Sequence, residues 1–208
     1  MTQAAVSVGK IAFIDSNDDL WVFGGESTSV MPDHNEMFLT PILPDIKFSY
    51  VDVTIMVITA IDTYGNIWYS GQFSPSDQFH GFTQLTDIVT FTHLSLHMGV
   101  ECSCLAIDIN NNLYGYGGFY GRGELVFLKD NIKMVFNRGY TIMCIDVSDE
   151  LWIRFNGEEG VFHKITQGSW VKGATNCWSD ILILSKSGEL LLTARKGISD
   201  AIASHNIL

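Results

Sequence analysis

The sequence predicts an all-β protein, a β-propeller of about five blades. Three observations predict it: a recurring hairpin motif, strand-forming stretches ahead of the copies, and a composition suited to short strands. The chain has 208 residues, 47% hydrophobic, with 13 Phe, 7 Tyr and 5 Trp, and with 19 Gly against 4 Pro. A chain of this size buries a core without disulfides or metal, and its aromatics and glycines fit strands joined by tight turns. Residues 1–208 are read as a single propeller domain.

The first copy of the motif is Phe13-Ile14-Asp15-Ser16-Asn17-Asp18-Asp19-Leu20-Trp21-Val22-Phe23-Gly24. It returns as Ala60-Ile61-Asp62-Thr63-Tyr64-Gly65-Asn66-Ile67-Trp68-Tyr69-Ser70-Gly71. A third copy is Ala106-Ile107-Asp108-Ile109-Asn110-Asn111-Asn112-Leu113-Tyr114-Gly115-Tyr116-Gly117. Cys144-Ile145-Asp146-Val147-Ser148-Asp149-Glu150-Leu151-Trp152 is the fourth, and Ile183-Leu184-Ser185-Lys186-Ser187-Gly188-Glu189-Leu190-Leu191 the fifth. From the Asp (Ser185 in the last copy) to the Leu or Ile that opens the returning strand is five residues each time, and successive anchors lie 47, 46, 38 and 39 residues apart. One supersecondary unit is being repeated.

Each copy reads as a hairpin. An apolar strand ends at Ile-Asp, a polar cluster reverses the chain, and a strand rich in Leu, Trp and Tyr returns. The Asp accepts hydrogen bonds from N–H groups of its own turn, so its repetition is structural rather than catalytic. Gly65, Gly188, Asn111 and Asp149 supply residues that tolerate positive φ. Aromatics at 21, 68, 114 and 152 would suit a ligand cage, but packing between blades accounts for one aromatic per repeat more economically.

Further strand-forming runs stand ahead of the hairpins: Ile46 to Ile58, Ile88 to Phe91, and Ile132 to Phe136. Each unit therefore has material for three or four strands, the size of a propeller blade. The chain begins a few residues before its first hairpin, so the first blade is expected to lack its leading strand. The segment 198–203, which resembles 132–137, is expected to supply that strand and close the ring.

The repeat, hydrophobic-Asp-x-x-Gly/Asn-x-Leu-Trp-x-x-Gly, resembles that of the regulator of chromosome condensation family. The third copy carries the fullest likeness, through Gly117-Gly118-Phe119-Tyr120-Gly121-Arg122-Gly123-Glu124-Leu125. The fourth and fifth copies depart from the pattern, with Phe155 and Ala194 where the family glycine would fall. The resemblance implies a propeller that binds other proteins. Members of that family include a nucleotide exchange factor for a small GTPase, modules of ubiquitin ligases, and bacterial or viral proteins acting in host cells.

The formal net charge of −11 speaks against a nucleic-acid groove. Lys129, Lys133 and Arg138 lie close in sequence and read as ordinary solvated charge. No run of about 18 apolar residues suggests a spanning helix, and residues 1–10 lack the pattern of a secretory signal. Cys102, Cys104, Cys144 and Cys177 have neither the density nor the spacing of a secreted scaffold, so an intracellular setting is expected, cytoplasmic or nuclear, or a host cell's.

His93, Ser95 and His97, with Cys102 and Cys104 nearby, are the one concentration of metal-type ligands. Their spacing matches no zinc pattern, so core thiols and solvated histidines are expected and no cofactor or metal. No phosphate loop, zinc-protease helix or nucleophile elbow is found. Specific contacts are therefore sought in the non-repeating connectors: Phe38 in residues 26–44, Phe79, His80 and Phe82 in residues 72–84, and Phe119, Tyr120 and Arg122 after the third hairpin. Those aromatics suit a protein interface if exposed, and blade packing if tucked in. The expected function is a non-enzymatic protein-binding platform or scaffold, including a host-directed assembly component. The alternatives are a lectin-like or small-ligand binder and a regulator of a small GTPase.

Overall fold

Turn chemistry at fixed spacing dictates what the chain builds. The computed structural model describes residues 2–24, 41–73, 80–86, 89–97, 102–117, 120–137, 141–155, 161–166, 169–175 and 181–193. They form five antiparallel sheets, one per motif copy, arranged as the blades of a β-propeller. Blade 1 holds β1 (Gln3–Ser7), β2 (Lys10–Ile14) and β3 (Leu20–Phe23). Blade 2 holds β4 (Phe48–Val53), β5 (Val57–Asp62), β6 (Ile67–Gly71) and β7 (His80–Thr86). Blade 3 holds β8 (Phe91–His97), β9 (Ser103–Asp108), β10 (Leu113–Gly117) and β11 (Gly121–Lys129). Blade 4 holds β12 (Ile132–Asn137), β13 (Thr141–Asp146), β14 (Leu151–Phe155) and β15 (His163–Thr166). Blade 5 holds β16 (Trp170–Thr175), β17 (Ile181–Ser185) and β18 (Leu190–Thr193). Within each sheet, strands pair in sequence order, and the first strand is innermost.

The repeated Asp does what its turn requires. Asp62 Oδ1 accepts the backbone N–H of Tyr64 and of Asn66, both at 2.9 Å. Asp15, Asp108 and Asp146 bind the equivalent two N–H groups of their own turns. Ser185 Oγ, in the fifth copy, accepts only from Glu189 N among these. The second carboxylate oxygen takes the indole N–H six residues on: Trp21 at 3.1 Å, Trp68 at 2.9 Å and Trp152 at 2.8 Å. The aromatic thereby ties the returning strand to the turn that launched it, a bond absent from the sequence reading.

Four buried clusters fill four seams between successive blades. Ala12, Ile14 and Leu20 of blade 1 meet Phe48, Val51 and Ile58 of blade 2. Ile61 and Ile67 meet Leu94, Cys104 and Ala106, then Leu105, Ile107 and Leu113 meet Ile132, Ile142 and Cys144. Met143, Ile145, Leu151 and Ile153 meet Ile181 and Ile183. Trp68, Tyr114 and Trp152 each pack into the seam with the preceding blade, as the packing reading expected. On blade 5, the side that elsewhere faces a following blade leaves Leu182, Leu190 and Leu192 exposed.

Backbone bonds cross the same seams. The fourth turn residue adopts positive φ in Asp18, Gly65, Asn111 and Asp149 (62°, 87°, 64° and 68°). Their carbonyls accept the N–H of Phe48, Phe91, Ile132 and Trp170, at 2.8, 2.8, 2.7 and 3.0 Å, each the first residue of the next blade's innermost strand. For Gly65 the backbone of Phe91 also comes close, so a Cβ there would crowd it at 3.1 Å and the Thr90 methyl at 2.3 Å.

Two expectations change. The first blade's leading strand comes from residues 3–7, as β1, joined to β2 through Val8 and Gly9. Its reversal through Val8 and Gly9 lacks the Asp turn, so the repeated motif does not mark this strand. The segment 198–203 lies outside the described residues. The histidines also depart from the solvated setting expected of them: His97 is buried and His93 half-buried, while the two cysteines sit in the core, as expected, on the opposite face, Leu96 pairing with Cys104 and Leu94 with Ala106. Cys102, Cys104 and Cys144 are buried and form no disulfide. Among the described residues no helix is long and apolar enough to cross a membrane.

Candidate functional site

The innermost strands of all five blades line one central channel of about 430 Å³. In blades 2 to 5 a β-bulge follows the strand's first residue, at Phe48/Tyr50, Phe91/His93, Ile132/Met134 and Trp170/Lys172. The bulge resets which residues face inward. One register position, opposite the residue preceding the turn Asp or Ser, then supplies a ring of Gln3, Tyr50, His93, Met134 and Lys172. Two residues on, a second ring holds Ala5, Asp52, Ser95, Phe136 and Ala174.

Side chains of these rings staple neighbouring strands. Gln3 binds both backbone groups of Val51, its Nε2 donating to the carbonyl at 3.0 Å and its Oε1 accepting from the N–H at 2.6 Å. Asp52 Oδ2 accepts from Leu96 N at 2.9 Å, and Ser95 Oγ from Asn137 N at 3.1 Å. Tyr50 and His93 stand with ring centroids 5.6 Å apart. Burial, with the charge of Asp52, pushes the Tyr50 hydroxyl above its ordinary value, and burial lowers His93, so both are neutral at physiological pH.

The turns define a second surface, at one end of the channel. Tyr64, Ile109 and Val147 stand at the turn tips of three successive blades and are 82%, 60% and 48% exposed. Charged turns flank this apolar crest. On one side Lys47 Nζ meets Asp19 at 2.6 Å, and on the other Asp149 pairs with both Lys133 and Lys186. The bonds to Lys133 and then Lys186 hold the Asp149 carboxyl below the usual carboxylate range. Lys129 instead lies over the Trp152 ring, 3.9 Å from its centroid.

Of the residues singled out in the connectors, Phe82 on β7 is half-buried against the seam between blades 1 and 2. Tyr120 packs against the seam between blades 3 and 4, where a Cβ on Gly115 would touch its ring at 2.5 Å. His80 begins β7 and Arg122 lies within β11. Phe38, Phe79 and Phe119 lie outside the described residues. Tyr64, Ile109 and Val147 were passed over, although an apolar residue at the tip of a polar turn was the signal available.

A five-bladed propeller with a lined channel and an apolar crest on its turns is thus the class of molecule. No protein-family model and no curated protein matches the chain. Among solved structures it is similar to human WBSCR16, with a TM-score of 0.75 at 12% identity over 90% of this chain and 60% of that one. It is also similar to Prp20p of Saccharomyces cerevisiae, described with its binding to Gsp1p and histones, with a TM-score of 0.71 at 14% identity over 93% and 57%. BBS1N in complex with ARL6DN gives 0.54 at 10% identity over 89% and 73%. The chain spans about three fifths of the length of the first two structures. Its fold is that of a small propeller like the regulator of chromosome condensation.

Proposed function

We propose that this propeller is a non-enzymatic platform that binds another protein through its turn face. The crest of Tyr64, Ile109 and Val147 carries this reading. Apolar side chains there stand on turns locked by Asp carboxylates, so little conformational entropy is lost when a partner covers them. An apolar centre with a charged rim is the usual anatomy of a protein interface. Similar folds seen or described with protein partners, Prp20p and BBS1N, support the same reading. The repeated indoles favour it over a lectin, because their N–H groups are spent on turn aspartates.

The test is affinity capture from native extract with the wild type beside a Tyr64→Asp, Ile109→Asp double variant. A protein retained by the wild type and lost by the variant, at unchanged thermal stability, supports the platform. Equal capture by both, or none by either, rejects it.

A further inference from the structure

The channel has polar groups beyond those that hold the blades together. Stapling draws mainly on acceptors: Asp52 receives Val53 N and Leu96 N, Ser95 Oγ receives Asn137 N, and both ends of the Gln3 amide are engaged on Val51. Donors remain. The Tyr50 hydroxyl and the Lys172 ammonium stand on one ring, whereas the His93 Nδ1–H is directed to Thr92 Oγ1 at 3.4 Å, whose own proton goes to the Ile107 carbonyl. A cavity of about 430 Å³ holds a small metabolite comfortably. Among the described residues its wall carries one ammonium, and its one carboxylate is already bonded to two backbone N–H groups.

We propose that the central channel is a binding site for a small oxyanion, a carboxylate or phosphate group, received by Lys172 and Tyr50. Lys172 supplies the charge and the Tyr50 hydroxyl supplies direction. The Tyr50 ring is held beside His93, so its hydroxyl needs little ordering when the anion arrives. The site does not depend on the turn face and stands or falls separately from it.

The experiment titrates the full chain with inorganic phosphate and, separately, with succinate, following backbone and side-chain chemical shifts. Shifts centred on Tyr50 and Lys172 support the site, and the anion that produces them tells phosphate from carboxylate. Lys172→Met is expected to weaken binding about tenfold or more and Tyr50→Phe several-fold, each with unchanged thermal unfolding. Titrations identical in the wild type and Lys172→Met, shifts scattered over surface lysines, or no shifts with either anion overturn the proposal.

Discussion

A single carboxylate organises each hairpin. Burial alone would push the Asp62 carboxyl up, but the side-chain donors of Trp68 and Asn66 and two backbone N–H groups outweigh it and hold it below the usual range. Asp15 is likewise lowered, its desolvation outweighed by Asp19 N, Asn17 N and the Trp21 indole. A folded value below the unfolded one, about 3.9, gives stability that is present above that pH and lost as pH falls through the folded values. Thermal unfolding is therefore expected to hold steady from neutral pH down to the ordinary carboxylate range and to decline below it. Trp68→Phe removes one charge-assisted bond and should cost about 1.5–3 kcal/mol in urea unfolding, with a shallower acid decline. The Asp was legible in the sequence as a turn acceptor. Its bond to the aromatic six residues on was not, because it exists only once the two strands lie side by side.

At the scale of the blade, the seams decide stability. Ile145 is fully buried between blades 4 and 5, whereas Leu192 is 71% exposed on the outward side of blade 5. Ile145→Ala should cost about 2–5 kcal/mol, and Leu192→Ala should change stability by no more than about 0.5 kcal/mol. Equal effects in denaturant titrations would remove the distinction between sealed and open faces. All five hairpins were legible because turn chemistry is local and recurs at fixed spacing. The channel rings were hidden by the bulges: one extra residue at Ser49, Thr92, Lys133 or Val171 moves every following side chain to the other face, and alternation read from sequence cannot count it.

For the whole molecule, order should run outward from the middle blades. Blades 2, 3 and 4 have four strands each and a buried seam on both sides, and every residue of β5, β9 and β13 is buried. Blades 1 and 5 have three described strands each. Amide hydrogen exchange should therefore be slowest in β5, β9 and β13 and markedly faster in β3 and β18. Uniform protection across all five blades would contradict this gradient. The net charge of −11 spread over such a body favours solubility and faster encounter with basic partners, both weakened by salt.

The carbonyl that each of the first four turns offers to the following blade also makes the propeller directional. Asp18, Gly65, Asn111 and Asp149 give, while Phe48, Phe91, Ile132 and Trp170 receive, always at the same two places in the unit. A gene duplication or deletion that cuts at equivalent places leaves every remaining joint chemically matched, so blade number can drift in whole steps. A cut anywhere else strands an acceptor on one side and a donor on the other. Growth by complete tiles is thus written into the turn, and a propeller of this size needs no new seam chemistry to be reached from a larger ring or extended toward one.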